Sequence, residues 1–350
     1  MKSFTDQYLN TIQLTPQLLS LTSKLSEYKG KEELYEKQSP DTLKRLVEVA
    51  KVESTESSNR IEGIEVAHKR VEAIVVKNSQ PRNRSEQEVS GYRDALDRIH
   101  TSYTGLPVSI NTILLLHEFL YKYTENPGGG FKREDNRIVD RLKDGTIRER
   151  FRPVSAELTY DSMQKLVGNF DYLMKQSHYP PLLLIPLFIL DFLCIHPFSD
   201  GNGRVARLLT LLLLYQAGYR VGKYISLERI IEQSKETYYE ALEKSSKGWH
   251  EGAHDIKPWQ NYFYGMLLAS YQEFEQRVGI IRRRSGNKRD QLIQTIREYN
   301  GKFSISNLED VCPNISRDMI RRVLRELRDK GQIRSDGVGR NAKWFKISKI

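Results

Sequence analysis

The spacing of apolar residues predicts α-helices along most of the chain. Helical periodicity is present in five long stretches, at residues 43–76, 110–123, 160–176, 181–195 and 203–217. Shorter helices are predicted at residues 226–232, 234–247 and 257–278. The first stretch is interrupted by Ser57, Ser58 and Gly63, which predicts two helices or one broken helix. The helix at 181–195 is apolar on all sides, as is typical of a central helix, so the fold class is mainly α.

A β-hairpin is predicted at residues 137–153, inside this helical pattern. Asp144 and Gly145 lie between two segments that contain β-branched and aromatic residues. This dipeptide favours a tight hairpin turn because both positions tolerate positive φ. The glycines at 128–130 precede the hairpin and predict a loop.

The end of the chain predicts a small separate module. A polar stretch at residues 282–287 predicts a linker. Three helices are expected after it. The first lies around residues 292–296, the second begins at a capping box formed by residues 306–309, and the third covers residues 316–330. Residues 332–347, around Asp336-Gly337-Val338-Gly339, then predict two short strands. Three helices followed by a hairpin is the element order of a winged helix-turn-helix domain.

Charge is distributed unevenly over the 350 residues, whose formal net charge is +10. Residues 282–350 contain 18 Lys and Arg against 8 Asp and Glu, while the rest of the chain contains 37 of each sign. The C-terminal segment is therefore expected to bind an anionic partner. The remaining composition, 39% hydrophobic and 29% charged, is that of a globular protein.

Several protein classes are disfavoured by the sequence. Cys194 and Cys312 have no spacing that fits a disulfide framework or a zinc site. The apolar stretches at 182–195 and 208–214 are shorter than the 18 residues expected of a membrane span, so they predict buried helices. The first ten residues lack the charged start and apolar run of a secretory signal, and we expect a cytoplasmic protein.

Chemically capable side chains are concentrated at residues 196–207. This segment reads His-Pro-Phe-Ser-Asp-Gly-Asn-Gly-Arg-Val-Ala-Arg and lies between two apolar helices. Gly201 and Gly203 free the backbone to curl, so the amides at the start of the next helix form an anion nest reinforced by the helix dipole. Phosphates are expected to bind there. Arg204 and Arg207, three residues apart, are expected to point the same way and to bind further phosphate oxygens.

Two further side chains complete a candidate site for attack on phosphorus. Asp200 offers the hard oxygen that a magnesium ion bridging phosphates requires. His196 can accept a proton from an attacking hydroxyl at neutral pH, because the unperturbed pKa of histidine is about 6.5. Together these groups suit in-line attack on a phosphorus atom.

Residues 196–207 match the pattern H-x-F-x-(D/E)-G-N-G-R-x-x-R without a gap and thereby resemble the Fic family, whose usual activity is protein AMPylation. The resemblance covers roughly residues 40–275. It implies that His196 is the general base, Phe198 an apolar anchor of the loop and Asp200 the Mg²⁺ ligand. The residues implied to cradle or bind the phosphates of ATP are Gly201, Asn202, Gly203, Arg204 and Arg207.

The resemblance also assigns elements outside the motif. Tyr238-Tyr239 is similar to an aromatic pair that borders the adenosine in relatives, and two helical tyrosines half in the core are the alternative. The hairpin at 137–153 corresponds to the family's flap, where a target protein docks by adding a strand. Residues 150–153, Arg-Phe-Arg-Pro, depart from the commoner proline-rich strand end, so individual flap contacts are not assigned.

An inhibitory pattern precedes the motif. Residues 58–63, Ser-Asn-Arg-Ile-Glu-Gly, fit the family pattern (S/T)-x-x-x-E-(G/N), in which the glutamate pairs with the second motif arginine. The resemblance therefore implies a contact between Glu62 and Arg207, with Ser58 and Gly63 completing the pattern. This contact would occupy the arginine that holds the γ-phosphate, so ATP would bind unproductively. The N-terminal position resembles the subgroup of Fic proteins that are inhibited from their own N-terminus.

The predicted third helix of the C-terminal module has a cationic face and an apolar face. The cationic residues are Arg317, Arg321, Arg325 and Arg328, opposite Ile320, Val323, Leu324 and Leu327. In a winged helix this helix enters a DNA groove, and the wing residues Arg340, Lys343 and Lys346 would add phosphate contacts. There are two alternatives to DNA binding: the cationic face is only solvated, or the module docks to a protein.

The sequence thus predicts a helical arm at residues 1–105 with the inhibitory helix, a Fic catalytic core at 106–281 and a winged helix at 286–350. The favoured function is transfer of AMP from ATP, with Mg²⁺, to a hydroxyl of a target protein and of the chain itself, autoinhibited by Glu62. One alternative is a DNA-binding regulator whose Fic domain senses nucleotide. Another is a Fic enzyme that removes AMP or uses a different nucleotide. The target protein, the type of hydroxyl and the oligomeric state are not specified by the sequence.

Overall fold

The structure is a computed structural model that describes residues 2–13, 15–38, 40–141, 145–285, 288–299, 301–312, 315–337 and 342–347. The chain divides into two compact units, Met1–Glu275 and Gln276–Ile350. The predicted division of the chain at residues 105/106 and 281/286 stays a prediction.

Helices build the first unit, as predicted. They are α1 (Asp6–Leu9), α2 (Pro16–Gln38), α3 (Pro40–Ile61), α4 (His68–Lys77), α5 (Arg84–Ser102), α6 (Ile110–Tyr121), α7 (Ala156–Gln176), α8 (Pro181–Ile195), α9 (Asn202–Gln216), α10 (Leu227–Gln233), α11 (Lys235–Ser246) and α12 (Lys257–Ser285). Two of the longest, α2 and α5, were not predicted from the sequence. The α12 helix starts in the first unit and runs past its end at Glu275.

The central helix of the first unit is α8, as its apolar sequence predicts. Nearly all of its side chains are buried, and α7, α9 and α11 pack against it. Pro186 removes one helical hydrogen bond from α8, and the freed carbonyl of Leu182 accepts a hydrogen bond from the Tyr264 hydroxyl at 2.8 Å. None of the helices in the described ranges combines the length and the apolar character needed to cross a membrane.

The break in the N-terminal arm lies after α3. The prediction of two helices is confirmed by α3 and α4, but neither Ser57 nor Ser58 interrupts a helix. Both serines are buried inside α3. The helix ends at Ile61, and Gly63 adopts φ +81°, a left-handed conformation that glycine tolerates without strain.

The predicted hairpin is present. Strands β1 (Ile138–Arg141) and β2 (Ile147–Phe151) pair antiparallel, with Val139 opposite Glu149. Gly145 in the turn has φ +83°, as the turn prediction requires. Asp144 lies outside the described residues.

The second unit contains three helices followed by a hairpin, in the predicted order. Its elements after α12 are α13 (Lys288–Glu298), α14 (Ile305–Val311), α15 (Arg317–Asp329), β3 (Ile333–Asp336) and β4 (Lys343–Lys346). The apolar face of α15 is buried in a core that also contains Leu292, Phe303 and Ile333. Backbone hydrogen bonds join Phe303 to Trp344 in β4. The identification of this unit as a winged helix stays a prediction.

Two local predictions in this part of the chain are wrong. Residues 282–285, predicted as linker, belong to the end of α12, because the polar residues there continue a helix already formed. The capping box of α14 is built by Ser304 and Asn307, two residues before the predicted start. The Asn307 side-chain oxygen accepts from the Ser304 amide at 3.0 Å, so an asparagine plays the part expected of a glutamate. Gly286, Asn287, Val338, Gly339 and Arg340 lie outside the described residues.

Candidate active site

A cavity of about 260 Å³ opens where α8 ends and α9 begins. Residues 196–201 join these two helices and are called the catalytic loop below. The predicted site residues that line the cavity are Glu62, His196, Asp200, Gly201, Asn202, Gly203, Arg207, Tyr238 and Tyr239. Three other predicted residues, Ser58, Gly63 and Arg204, do not line it.

His196 ends α8 in the left-handed conformation, with φ +52°. Its Nδ1 lies 3.2 Å from the carbonyl oxygen of Leu193, which can only accept a hydrogen bond. Nδ1 is therefore assigned the proton, and the lone pair of Nε2 is left to act as a base. Burial lowers the pKa of His196 to about 4, so the imidazole is neutral at pH 7.

The glycines of the motif form the expected start of α9. Gly201 has φ +80°, and α9 begins at Asn202. The first backbone amides of this helix therefore point along its axis into the cavity. The side chain of Asn202 closes the catalytic loop, and its role in cradling phosphates stays a prediction. Its Oδ1 accepts from the Phe198 amide at 2.9 Å, and its Nδ2 donates to the Phe198 carbonyl at 2.7 Å. The backbone amide of Asn202 and the second hydrogen of its Nδ2 remain as donors for an anion.

Asp200 presents an ionised carboxylate to the solvent side of the site. Its side chain is 73% exposed. Oδ2 accepts from the Tyr121 hydroxyl at 2.9 Å, and Oδ1 accepts from the Gly201 amide at 2.7 Å. Burial alone would raise the pKa of Asp200, but the Tyr121 hydrogen bond and the charge of Arg204 outweigh it and lower the pKa. An accessible carboxylate of this kind fits a Mg²⁺ ion that keeps water and phosphate as its other ligands.

Arg207 is held by the inhibitory pattern, as the resemblance implies. Its Nη2 lies 2.8 Å from Oε1 of Glu62, and its Nε donates to Oγ of Ser58 at 2.8 Å. The Ser58 carbonyl accepts from Nη2 at 2.9 Å. Nη1 of Arg207 is buried without a hydrogen-bond partner among the described residues. A Cβ at Gly203 would collide with Oε1 of Glu62, so this carboxylate lies directly over the start of α9.

Arg204 and Arg207 do not point the same way, contrary to the expectation. Residues three apart on a helix differ in direction by about 60°, and here that difference places Arg204 in the interior, 1% exposed. Its Nη1 lies 2.6 Å from Oε2 of Glu88, and its Nη2 donates to the Tyr121 hydroxyl at 3.0 Å. The structure therefore does not bring Arg204 to the cavity.

The two tyrosines of α11 have different environments. Tyr238 is 3% exposed and packs edge-on against Trp259 and Tyr262, so its ring is mostly core. Tyr239 is half-buried, with the guanidinium of Arg150 5.2 Å from its ring centre. Both tyrosines line the cavity, and their role beside an adenosine stays a prediction.

Sequence reasoning missed the walls of the cavity. The hairpin contributes Arg137, Ile138, Arg150 and Phe151, and the apolar wall consists of Leu190, Leu193, Cys194 and Leu242. It also missed Glu88 and Tyr121, which hold Arg204 and Asp200. Leu190, Leu193 and Cys194 lie in the last two turns of α8, but a helix that is apolar on all sides gives no signal for the residues that face the cavity.

Comparison with known proteins agrees with this geometry. Residues 107–214 match the Fic/DOC family. Protein adenylyltransferase fic-1 of Caenorhabditis elegans is 25% identical over 209 residues, which cover 58% of this chain and 36% of the relative. Protein adenylyltransferase Fic of Aedes aegypti is 40% identical over 68 residues, or 19% of this chain and 11% of the relative. The matched residues thus span about a third of the C. elegans relative and about a tenth of the A. aegypti relative.

Solved structures show the same fold at low sequence identity. A Fic family protein from Desulfovibrio desulfuricans G20 matches with a TM-score of 0.64 at 20% identity, covering 97% of this chain and 98% of that one. Residues 134–508 of Fic-1 from C. elegans match with a TM-score of 0.58 at 20% identity, covering 76% and 73%. Residues 107–214, which contain the uninterrupted motif at the start of α9, are therefore a Fic/DOC family domain.

Proposed function

We propose that this protein transfers AMP from ATP to a hydroxyl side chain of a target protein and of itself. The observation that carries the proposal is one cavity containing His196, Asp200, the start of α9 and Arg207, beside the β1–β2 hairpin. A base, an anion nest and a carboxylate for a metal are what in-line attack on phosphorus needs. The names of the distant relatives, which are protein adenylyltransferases, support the same reaction.

The proposed step is a substitution at the α-phosphorus of ATP. The hydroxyl oxygen of the target forms a bond to this phosphorus while the bond from phosphorus to the oxygen bridging to the β-phosphate breaks. Pyrophosphate leaves, and the hydroxyl proton passes to Nε2 of His196. The low pKa of His196 supports this role, because Nε2 has no proton before the reaction begins.

The phosphates of ATP are assigned to the first turn of α9 and to Arg207. Asp200 would hold Mg²⁺, which in such reactions neutralises phosphate charge. Arg204 has a supporting role here, because it binds the Tyr121 hydroxyl, which in turn donates to Asp200. The apolar wall and Tyr239 are assigned to the nucleoside.

Glu62 is proposed to inhibit the reaction. Its carboxylate is 2.8 Å from Arg207 and lies over Gly203, where the terminal phosphate would otherwise bind. A carboxylate and a phosphate compete for the same guanidinium, and such charge-assisted bonds are strong when they are shielded from water. ATP would then bind with its phosphates displaced from the productive position.

Labelled ATP tests the reaction. The Glu62→Gly protein is incubated with Mg²⁺ and a hydroxyl-containing target from cell lysate, using ATP labelled in the α-phosphate or in the γ-phosphate. AMP transfer puts the α-label and not the γ-label on protein, whereas a kinase does the reverse. His196→Ala in the same background should lose about 10²- to 10⁴-fold in labelling while its ATP affinity changes little. Equal labelling by both proteins would exclude His196 as the base.

A second candidate function, DNA binding, is favoured by the charge of the second unit. Burial of the apolar face of α15 leaves Arg321, Arg325 and Arg328 exposed on one helix. Gel shifts of the full chain on duplex DNA at two salt concentrations test it, because phosphate contacts weaken steeply with salt. Arg321→Glu should weaken binding, and Lys244→Glu, on the surface of the first unit, should not. Absence of binding at low salt would favour the protein-docking alternative.

A further inference from the structure

The loop at residues 127–136, called the strap below, lies against the catalytic loop. It runs from the end of the α6 region to the start of β1. Gly128 packs so closely on the backbone of α6 that a Cβ there would collide with the carbonyl of His117. The amide of Gly129 donates to Nδ1 of His117 at 2.9 Å. The strap is therefore fixed to α6 at its first half.

The second half of the strap donates hydrogen bonds to four consecutive carbonyls around His196. Lys132 donates from Nζ to the carbonyl of residue 195 at 3.1 Å and from its amide to that of residue 197 at 2.8 Å. Asn136 donates from Nδ2 to the carbonyls of residues 196 and 198 at 3.3 and 3.0 Å. Each backbone carbonyl from residue 195 to residue 198 thus accepts a hydrogen bond from the strap.

Lys132 also sets the orientation of Asn136. Its Nζ donates to Oδ1 of Asn136 at 2.8 Å. Because the ammonium can only donate, the amide oxygen must face it, and the amide nitrogen must face the catalytic loop. Lys132 is only 4% exposed, so its charge is held there by these contacts and not by solvent.

The catalytic loop needs such support because His196 is in the left-handed region. For a residue other than glycine this conformation costs about 1–2 kcal/mol, and strained backbone persists only where its surroundings over-determine it. The direction of the imidazole follows from the peptide planes on either side of residue 196. Holding those planes therefore holds the ring.

We propose that Lys132 and Asn136 are positioning residues. They keep the imidazole of His196 directed into the cavity and at a fixed position relative to the hairpin. Asn136 lies two residues before β1, so the same segment that holds the base also begins the surface on which a target segment would dock. The inference rests on the proposed function for the role of His196 as base, but the contacts themselves do not depend on it.

Two variants test the proposal in the Glu62→Gly background. Asn136→Asp keeps the shape and the Lys132 contact but replaces the donor to two carbonyls with an acceptor. Lys132→Met keeps the length of the side chain and the backbone bond to residue 197 but removes Nζ. Thr112→Val loses a buried hydrogen bond elsewhere on α6 and is the control for general destabilisation, since Oγ1 of Thr112 donates to Pro107 at 2.6 Å.

We expect kcat for α-label transfer to fall about 10- to 100-fold in both variants, since misplacing a reacting group by about 1 Å costs on the order of 100-fold. ATP affinity should stay within about twofold, because neither residue lines the phosphate end of the cavity. Thr112→Val should lower the melting temperature without this change in kcat. Unchanged kcat in both strap variants would overturn the proposal.

A spectroscopic measurement tests the positioning of His196 even if no AMP transfer is detected. In protein labelled with ¹³C at histidine, the His196 resonance is assigned by its absence in His196→Ala. The charged groups around the ring are Lys132, Arg150 and Glu62, and the Lys132 charge lowers the pKa of His196. Lys132→Met should therefore raise this pKa and shift the resonance. A resonance and titration identical to those of the Glu62→Gly parent would overturn the proposal, whereas absent transfer with a shifted resonance would contradict only the proposed function.

Discussion

The α9 helix carries two buried arginines, each paired with a glutamate, and the two pairs differ in how the glutamate is held. Arg204 and Glu88 are 2.6 Å apart, with side chains 1% and 8% exposed. Arg207 and Glu62 are 2.8 Å apart, with side chains 3% and 31% exposed. The arginines are equally buried, but the glutamates are not.

The difference follows from the position of each glutamate in its element. Glu88 lies in the first turns of the 19-residue helix α5, with helix continuing on its C-terminal side for more than three turns. Glu62 follows the last residue of α3 and is next to Gly63 in its left-handed turn. The structure thus contains one charge pair enclosed in the core and, three residues further along the same helix, a second pair that solvent reaches; we propose that only the second is displaced by nucleotide.

The largest effect is expected from breaking the inner pair. Glu88→Ala removes the nearer charge partner of the buried Arg204 and leaves Asp200, at 3.7 Å, and loss of a buried partner typically costs about 3–5 kcal/mol. Urea unfolding followed by circular dichroism measures this loss. The double variant Glu88→Ala with Arg204→Met should recover part of it, because it removes the unpaired charge.

A matched control is available for this prediction. Arg84 also contacts Glu88, at 3.2 Å, but its side chain is 70% exposed. Arg84→Ala should therefore change the unfolding free energy by less than about 1 kcal/mol. If Glu88→Ala were as mild as Arg84→Ala, the inner pair would not be the structural contact described here.

Breaking the outer pair should raise activity and cost less stability than breaking the inner pair, because both Ser58 oxygens still bind Arg207. Glu62→Gly frees Arg207, and we expect AMP transfer to rise roughly a hundredfold, which corresponds to about 2.7 kcal/mol in the barrier. Transfer of the α-label to the chain itself and to lysate proteins measures the gain. Glu62→Gly combined with Arg207→Ala should be inactive, because the gain is proposed to pass through that arginine. A folded Glu62→Gly protein that is no more active than wild type would refute inhibition by Glu62.

A smaller effect is expected from Ser58, which assists the outer pair. Ser58→Ala removes one hydrogen bond to Nε of Arg207, while the Ser58 carbonyl and Glu62 remain bound. The loss of about 1 kcal/mol from the inhibited arrangement should raise transfer about fivefold. Ser57→Ala, also buried in α3, is the control and should leave transfer unchanged. Equal rates for the two variants would remove Ser58 from the inhibitory contact.

The outer pair was predictable from the sequence and the inner pair was not. Glu62 and Arg207 belong to short patterns with fixed spacing, and the structure brings them together. Glu88 lies on a helix whose buried face includes Glu86, Glu88 and Arg93. Val89, Tyr92, Leu96 and Ile99 do give α5 an apolar helical spacing, which was overlooked in a strongly charged stretch, but no short pattern identifies the partner of Arg204.

The same physical limit applies to other missed features. The α2 helix buries Glu32 together with Leu18 and Leu25, so its apolar stripe is interrupted. The strap acts through Lys132 and Asn136 in an irregular loop, where no periodicity exists. In contrast, α8 and α9 are buried almost completely by apolar side chains, and both were predicted with ends within a residue or two.

The placement of Glu62 at the end of α3 also makes it a competitor of the nucleotide in the thermodynamic sense. In the proposed reaction, the carboxylate and the terminal phosphate exclude each other from Arg207, so their equilibria are linked. A substitution in residues 62–67, or a partner that binds them, would weaken the contact between Glu62 and Arg207 and so strengthen productive ATP binding. By the same linkage, bound ATP weakens that contact to the same extent. Ser54, Thr55 and Ser57 are buried in α3 before the contact, so we expect the exchange to move the end of this helix and not a whole domain.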